Sequence, residues 1–407
     1  MKKVLFVINT MGRGGAERCL LHMINAMHDN WQAEEYCFAL FSVLNKGELF
    51  TEVPEYVRIM NENPNEESVF DGKARKGFAK RILQGALQNG YVFRNLGSLC
   101  RLFFWQLKNK KISVKKLCWK LISDTAEPIE EEYDLVVGYL QGAATYYAID
   151  RVKAAKKILF VHNDFAASGN CPWWDQPYYE KADKIYCVSQ NATSKLKEIY
   201  PSCKEKIETL YNFANVNWVK ERAAQKPADE DYLKIKNKPS DTLCLMTAAR
   251  LEPHKAFDKA IQAMACLKRM GVKAVWYVLG DGSLRKQLQK EIEEQDVAEC
   301  FFLLGQKDNP YPYLAACDIY VQETLYEGFC TSITEAVILG KRVVASDCDG
   351  NKEQLAYYNT GILTPLEPEA IAKGILQAAS MEPGNVDVSM IQEKSLEQLK
   401  LDMEGNA

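Results

Sequence analysis

The pattern of this 407-residue chain predicts an α/β protein made of two parallel-sheet domains facing a central cleft. Three observations carry that reading. Short apolar runs alternate with helical periodicity through the first half; a polar stretch rich in Lys, Asp and Glu, with Pro227 and Pro239, then interrupts; and a second alternation of the same kind starts at Leu243. The length also exceeds what one hydrophobic core usually organises. The expected layout is a first domain over 1–220, a link over 221–241, a second domain over 242–385 and a C-terminal helix over 386–407 that returns to the first domain.

In the first domain, VLFVIN (Val4–Asn9) reads as a buried strand, TMGRGGAE as a glycine turn, and Glu17–Met27 as a helix with Leu20, Leu21, Ile24 and Met27 on one side. Gly12, Gly14 and Gly15 remove side chains that would block a ligand, a weak signal when taken alone. The spacing is not GxGxxG, and Glu34–Ser42 ends without an acid to hold a ribose, so a dinucleotide oxidoreductase is disfavoured. Further strands fall at Leu135–Leu140, Lys156–Asp164, the run before Ser189, and KIETLY, with helices between them and Ser189 as an N-cap. The strand ending at His162 presents that imidazole where parallel sheets open their crevice.

Between Lys73 and Lys120 stand 13 Lys and Arg with no Asp or Glu, interleaved with apolar residues such as Phe103, Phe104 and Trp105. Such a stretch is expected to lie on an anionic membrane surface or to face an anionic acceptor; a solvated helical face is the plainer alternative.

The second domain repeats strand and helix through LCLMTAAR, AVWYVLGDGS, CFFLLGQ, DIYVQ and RVVASD. ARLEPHK (Ala249–Lys255) follows its first strand, and Arg250 with Lys255 suits a diphosphate, a planar fork of donors beside a flexible point charge. GDGS (Gly280–Ser283) closes the next strand with small residues and free N–H groups. YEGFCTSITE (Tyr326–Glu335) sets Glu327 in a loop at a strand end and Glu335 inside the following helix. Ser332-x-x-Glu335 also fits a capping box, so a ligand role and a local one both remain open.

Composition narrows the partners. Fifty-one Lys and Arg against 54 Asp and Glu give a net charge of -3, which offers no argument for nucleic acid. The 13 cysteines contain no CxxC pair and only four histidines are present, which points to reduced thiols and away from a zinc site. The apolar run at the amino terminus is too short for a signal peptide, and no stretch is long enough to span a bilayer. A cytoplasmic protein, peripheral on the inner face of the cell membrane through 73–120, is expected.

Taken in order, GRGGAE, ARLEPHK, VLGDGS, YEGFCTSITEA and VVASDCDGNKE resemble the retaining glycosyltransferases of family 4, from Lys3 to about Leu376 and most firmly over Thr247–Glu353. The resemblance implies the GT-B fold, two Rossmann-like domains, with acceptor on the first and nucleotide sugar on the second. It implies a hexosyl transfer in bacterial cell-surface glycan synthesis (capsule or lipopolysaccharide). Arg250 and Lys255 would neutralise the donor diphosphate and Glu335 would hold the ribose. Glu327 would bind hydroxyls of the transferred sugar and support its reactive centre. His162 would stand at that sugar, and Gly14 and Gly15 would approach the diphosphate or acceptor. Gly280, Gly282, Gly328 and Phe329 complete the donor-binding set.

Two departures bear on donor identity. Asp349-Gly350-Asn351 stands where relatives often carry paired glycines, and Gln322-Glu323-Thr324 where they commonly place Pro-Ser. Asp347-Cys348-Asp349 is a literal DxD, yet Arg250 and Lys255 already supply the charge a divalent ion would bring, so neither metal nor cofactor is expected. The alternatives are a nucleotide-sugar hydrolase or epimerase of the same fold, or a non-catalytic nucleotide-sugar-binding protein.

Overall fold

The computed structural model describes residues 1–31, 35–63, 87, 91–108, 119–120, 122–124, 126–162, 165, 171–384 and 386–404. They form two compact units, Met1–Phe213 with Ser395–Ala407, and Ala214–Lys394.

The first unit holds a seven-stranded, all-parallel sheet. Its strands are β1 (Lys2–Ile8), β2 (Tyr36–Ser42), β3 (Val57–Ile59), β4 (Ile129–Gly138), β5 (Val152–Val161), β6 (Lys184–Cys187) and β7 (Ile207–Thr209), in the spatial order β3-β2-β1-β4-β5-β6-β7. Burial on both faces explains the unbroken apolar run of β1. Val4, Phe6 and Ile8 enter a core with helix Gly15–Asn30, whereas Leu5 and Val7 pack with helix Ala143–Asp150. Chain order reverses between β1 and β4, and Asn9 ties that point together: its Nδ2 donates to the Gln141 carbonyl (3.1 Å) and its Oδ1 accepts from Ala144 N (2.8 Å). Ser189 caps helix Gln190–Ile199, its hydroxyl accepting from Ala192 N.

The second unit has a six-stranded parallel sheet of β8 (Leu243–Ala248), β9 (Ala274–Leu279), β10 (Phe301–Gly305), β11 (Ile319–Gln322), β12 (Arg342–Ser346) and β13 (Ile362–Thr364), ordered β10-β9-β8-β11-β12-β13. Leu245, Trp276, Ile319, Val321 and Val344 pack one face against helices Phe257–Arg269 and Pro368–Ala379. The reversal here lies between β8 and β11, so the loops that follow these two strands flank a crevice.

Several expectations are corrected. The 221–241 stretch is not an open link: helices Val216–Ala223 and Glu230–Lys236 fold within the second unit, the latter capped by Asp229, and Lys307 pairs with Asp231 at 2.7 Å. Strand β4 begins at Ile129, inside the acidic run. Glu131 can extend it because its carboxylate meets Lys3 (2.7 Å) and Arg58 (3.0 Å). Strands β3 and β13 and helix Pro368–Ala379 were not expected; the two strands are three residues long, too short to show a period. The C-terminal helix, Val388–Glu404, sends Leu396 and Leu399 into the first core, and its Glu404 accepts from the Tyr36 hydroxyl (2.6 Å). Among the described residues no helix is long and apolar enough to cross a membrane.

Candidate active site

The crevice edge of the second sheet starts where the backbone after β8 meets the backbone after β9. Ala249 N donates to Leu279 O, Leu251 N to Asp281 O, and Leu284 N to Leu251 O. A Cβ at Gly280 would lie 2.0 Å from the Ala249 carbonyl oxygen, and one at Gly282 2.5 Å from that of Leu251. Gly280 is also at φ +140°. Both glycines are therefore required for chain-to-chain packing, which the turn expectation, aimed at a ligand, did not include. That packing presents Arg250, which is exposed and, among the described residues, carries no ion pair.

Lys255 follows on a short 3₁₀ turn, Pro253–Lys255, and its Nζ donates to Glu327 Oε2. Burial opposes the ammonium charge, but the carboxylate of Glu327 outweighs it and the lysine holds its proton more firmly than usual. The two loops are also clamped by backbone. Leu325 N (2.8 Å) and the Thr324 hydroxyl (2.9 Å) donate to the His254 carbonyl, and the His254 ring stacks on Tyr326 at 5.1 Å. Gly350, at the start of helix Asp349–Tyr358, lets this loop sit close, since a Cβ there would lie 2.3 Å from the Glu327 carbonyl oxygen.

Glu335 is buried in helix Thr331–Ile338, and its Oε1 accepts from the Tyr311 hydroxyl at 2.8 Å. The capping-box alternative is not realised. The N-cap is Cys330, Ser332 lies within the helix, and its hydroxyl donates to the Ala248 carbonyl (3.0 Å). Phe329, expected at the donor, is buried and packs edge-on against Tyr357 and Tyr358 at 5.8 and 6.0 Å. Gly328 is buried as well, its N–H 3.4 Å from Glu327 Oε1.

One carboxyl escaped the sequence reading. Glu323, directly after β11, is 2% exposed, neither of its oxygens has a hydrogen-bond partner among the described residues, and burial pushes its pKa up to about 8. The only signal was the polar run Gln322-Glu323-Thr324 closing an apolar strand.

In the first unit, Gly14 is the N-cap of helix Gly15–Asn30, and the Glu17 carboxylate folds back to where a Gly14 Cβ would stand, 2.2 Å away; its Oε1 accepts from the Thr10 hydroxyl. Gly15 is exposed. His162, at the end of β5, is 7% exposed, with its ring centroid 4.5 Å from that of Tyr139. Burial lowers its pKa to about 3, against the opposing pull of the Tyr139 backbone and the Asn212 side chain, so the imidazole is neutral at working pH. Asn163 and Asp164, which follow it, lie outside the described residues, as does most of 73–120 apart from helix Tyr91–Lys108.

The family profile "Glycosyl transferases group 1" matches residues 228–395, a span that includes this crevice edge. A Campylobacter jejuni N-acetylgalactosamine-N,N'-diacetylbacillosaminyl-diphospho-undecaprenol 4-alpha-N-acetylgalactosaminyltransferase is 27% identical over 271 residues, 66% of this chain and 70% of that protein. The amylovoran biosynthesis glycosyltransferase AmsK of Erwinia amylovora is 29% identical over 165 residues, 38% of this chain and 40% of that one. Among solved structures, Anabaena HepE in complex with UDP and glucose superposes with a TM-score of 0.65 at 18% identity, covering 98% of this chain and all of that one. The chain is a glycosyltransferase of GT-B fold.

Among its described residues, the transferase has no group of three or more His, Cys, Asp or Glu placed to hold a metal ion. Asp347 of the DxD pairs with Lys352 at 3.0 Å, and Asp349 lies in the first turn of helix Asp349–Tyr358. Chemically, the crevice edge of the transferase offers an exposed guanidinium, a lysine already matched to a carboxylate, and a buried carboxylate one hydrogen bond from a tyrosine.

Proposed function

We propose that the protein transfers a sugar from a nucleoside-diphosphate sugar to a hydroxyl of a glycan or lipid-linked acceptor, with retention of configuration and without a metal ion. The observation that carries this is the grouping of Arg250, Lys255 and Glu327 on the two loops flanking the reversal between β8 and β11. Arg250 and Lys255 stabilise the negative charge that grows on the departing diphosphate as the anomeric bond breaks, more than they stabilise it in the bound donor. Glu335, held by Tyr311, takes the ribose hydroxyls. Glu327 takes hydroxyls of the sugar, its carboxylate held by Lys255. The acceptor hydroxyl enters on the face the phosphate leaves, giving its proton to a phosphate oxygen, so no protein nucleophile is needed.

The names of the similar proteins support a nucleotide-sugar donor and a lipid-linked acceptor: HepE was solved with UDP and glucose, and the Campylobacter enzyme is named for a diphospho-undecaprenol substrate. Helix Tyr91–Lys108 supports contact with an anionic membrane, since Leu96, Phe103, Phe104 and Leu107 are all exposed along it beside Lys108. Arg101 is partly committed elsewhere, lying 4.5 Å over the Trp173 ring.

A thermal-shift screen of nucleotide sugars, followed by mass spectrometry with lipid-linked acceptors and NMR of the anomeric configuration, tests the reading. A retained linkage on an acceptor is the expected product. Free or isomerised sugar formed at a matching rate without acceptor would make the protein a hydrolase or epimerase instead.

A further inference from the structure

We infer that Glu323 is a positioning residue that works as a neutral carboxylic acid, its proton completing a buried polar row with Ser346, Thr364 and Asn351 that anchors the loop carrying Glu327. The register places the row. Gln322 stands opposite Ala345 and Ser346 opposite Thr364, so one step beyond β11 brings Glu323, Ser346 and Thr364 into line across three strands. Alternation puts this line on the face of Val321, Val344 and Ile362, away from Gln322, whose Oε1 accepts from Tyr320. Thr364 is held there beneath Gly374, with its Cγ2 2.3 Å from where a Cβ would be. Asn351 joins from helix Asp349–Tyr358, its Nδ2 donating to Ser346 O (3.0 Å) and Oγ (3.2 Å).

The donor and acceptor count identifies what is missing. The Ser346 hydroxyl donates to Thr324 O (2.7 Å) and accepts from Thr324 N (2.9 Å), so its proton is used. Both oxygens of Glu323, Asn351 Oδ1 and Thr364 Oγ1 are buried with no partner among the described residues. The Thr364 hydroxyl is the one unused donor of this row, against the two oxygens of Glu323 and Asn351 Oδ1; an ionised Glu323 leaves the row short of donors, whereas a protonated one supplies a donor and removes a buried charge. Among the described residues no cation pairs with it: Arg250, His254, Lys255, Glu327, Asp258, Lys259, Lys268, Arg269, Arg342, Asp347, Asp349, Lys352, Glu353, Glu369 and Lys373 stand on the surrounding elements, and burial alone acts on Glu323. Thr324 is the next residue, and its clamp to Ser346 and His254 fixes the path to Glu327. Losing the proton strands a charge beside that clamp, which loosens the Glu327 loop.

The activity consequence rests on the role proposed above for Glu327; the protonation does not. Infrared difference spectra of the full chain, titrated from pH 6 to pH 10, are expected to show a protonated-carboxyl carbonyl band that disappears with a midpoint near the value of about 8 given by burial. The band should be absent in Glu323→Gln. No band, or one unchanged in Glu323→Gln, overturns the inference. Glu323→Asp carries the same test should the glutamine variant fail to fold, since the shorter acid shifts band and midpoint. In transfer assays Glu323→Gln, which keeps a donor and an acceptor, should hold kcat within about twofold at neutral pH and lose the alkaline decline, whereas Glu323→Ala lowers kcat without raising KM. An alkaline decline identical in wild type and Glu323→Gln sinks the positioning role. A band without any detectable transfer would instead sink the proposed function and leave the acid standing.

Discussion

Lys255 and Glu327 form an ion pair between the loop after β8 and the loop after β11, with side chains only 12% and 17% exposed. Neither charge is independent of the other, so breaking the pair from either side strands a largely buried charge. Lys255→Met and Glu327→Gln should each lower kcat/KM at least about tenfold, roughly 1.4 kcal/mol. The double variant should be little worse than the poorer single one, with a coupling of about 1–3 kcal/mol. Steady-state kinetics on the four proteins of the cycle would read this; additive losses would mean that the two residues act separately on the donor.

Tyr311 donates to Glu335, and Trp218 meets the tyrosine ring edge-on at 5.3 Å. Tyr311→Phe removes the donor and keeps the packing, which frees the carboxylate to turn from the position assigned to the ribose. Nucleoside-diphosphate affinity by calorimetry should weaken about 3- to 10-fold, in line with the roughly 0.5–1.5 kcal/mol of one hydrogen bond. Turnover at saturating donor should stay close to wild type. A fall in kcat alone would contradict the ribose assignment for Glu335.

If side chains meet the diphosphate charge, Arg250→Ala should cripple transfer while EDTA leaves the wild-type rate unchanged. Loss of activity on chelation, restored by magnesium or manganese, would return Asp347 and Asp349 to the site. Breaking the Lys352–Asp347 pair should then matter too, whereas Lys352→Ala is otherwise expected to be silent.

The two units should answer pH in opposite directions. In the first unit, burial lowers His22 and His162 to about 3 from an ordinary 6.5, so the stability of their neutral forms is complete above pH 6.5 and drains away as pH falls toward 3. In the second unit Glu323 is raised to about 8 from 4.5. It favours the fold fully only below pH 4.5, and that contribution is lost as pH climbs through 8, by an upper limit on the order of 5 kcal/mol. Hydrogen exchange read by unit should find the first opening more readily at pH 5 than at pH 7, and the second more readily at pH 9. Glu323→Gln should abolish the alkaline response alone. A parallel response of both units would refute the assignment of these shifts.

Much of the site was legible because its residues follow buried strands. LCLMTA and DIYVQ read as strands from their apolar runs, so ARLEPHK and YEGF had to emerge at the carboxyl edge of a parallel sheet. Polar segments were harder. The 221–241 stretch reads as a link by composition, yet the caps Asn215 and Asp229 start helices that bury Val219, Tyr232 and Ile235 against the second unit. The packing of Phe329 was not legible either, since Tyr357 and Tyr358, which meet its ring, come from the helix after the next strand.

The sequence by itself determined the two alternations of strand and helix, the edge on which the charged motifs stand, and the scarcity of histidine. Period and composition are local properties, and they suffice for that. Only the tertiary structure decided which charges meet. Lys255 and Glu327 are 72 positions apart and become partners because β8 and β11 are neighbours at the reversal of strand order. Glycines 280, 282 and 350 are needed there for the close approach of one backbone to another. Glu323 became a buried acid by the same route. Its environment is built by β12, β13 and helix Asp349–Tyr358, none of which a reading of its own strand could bring beside it.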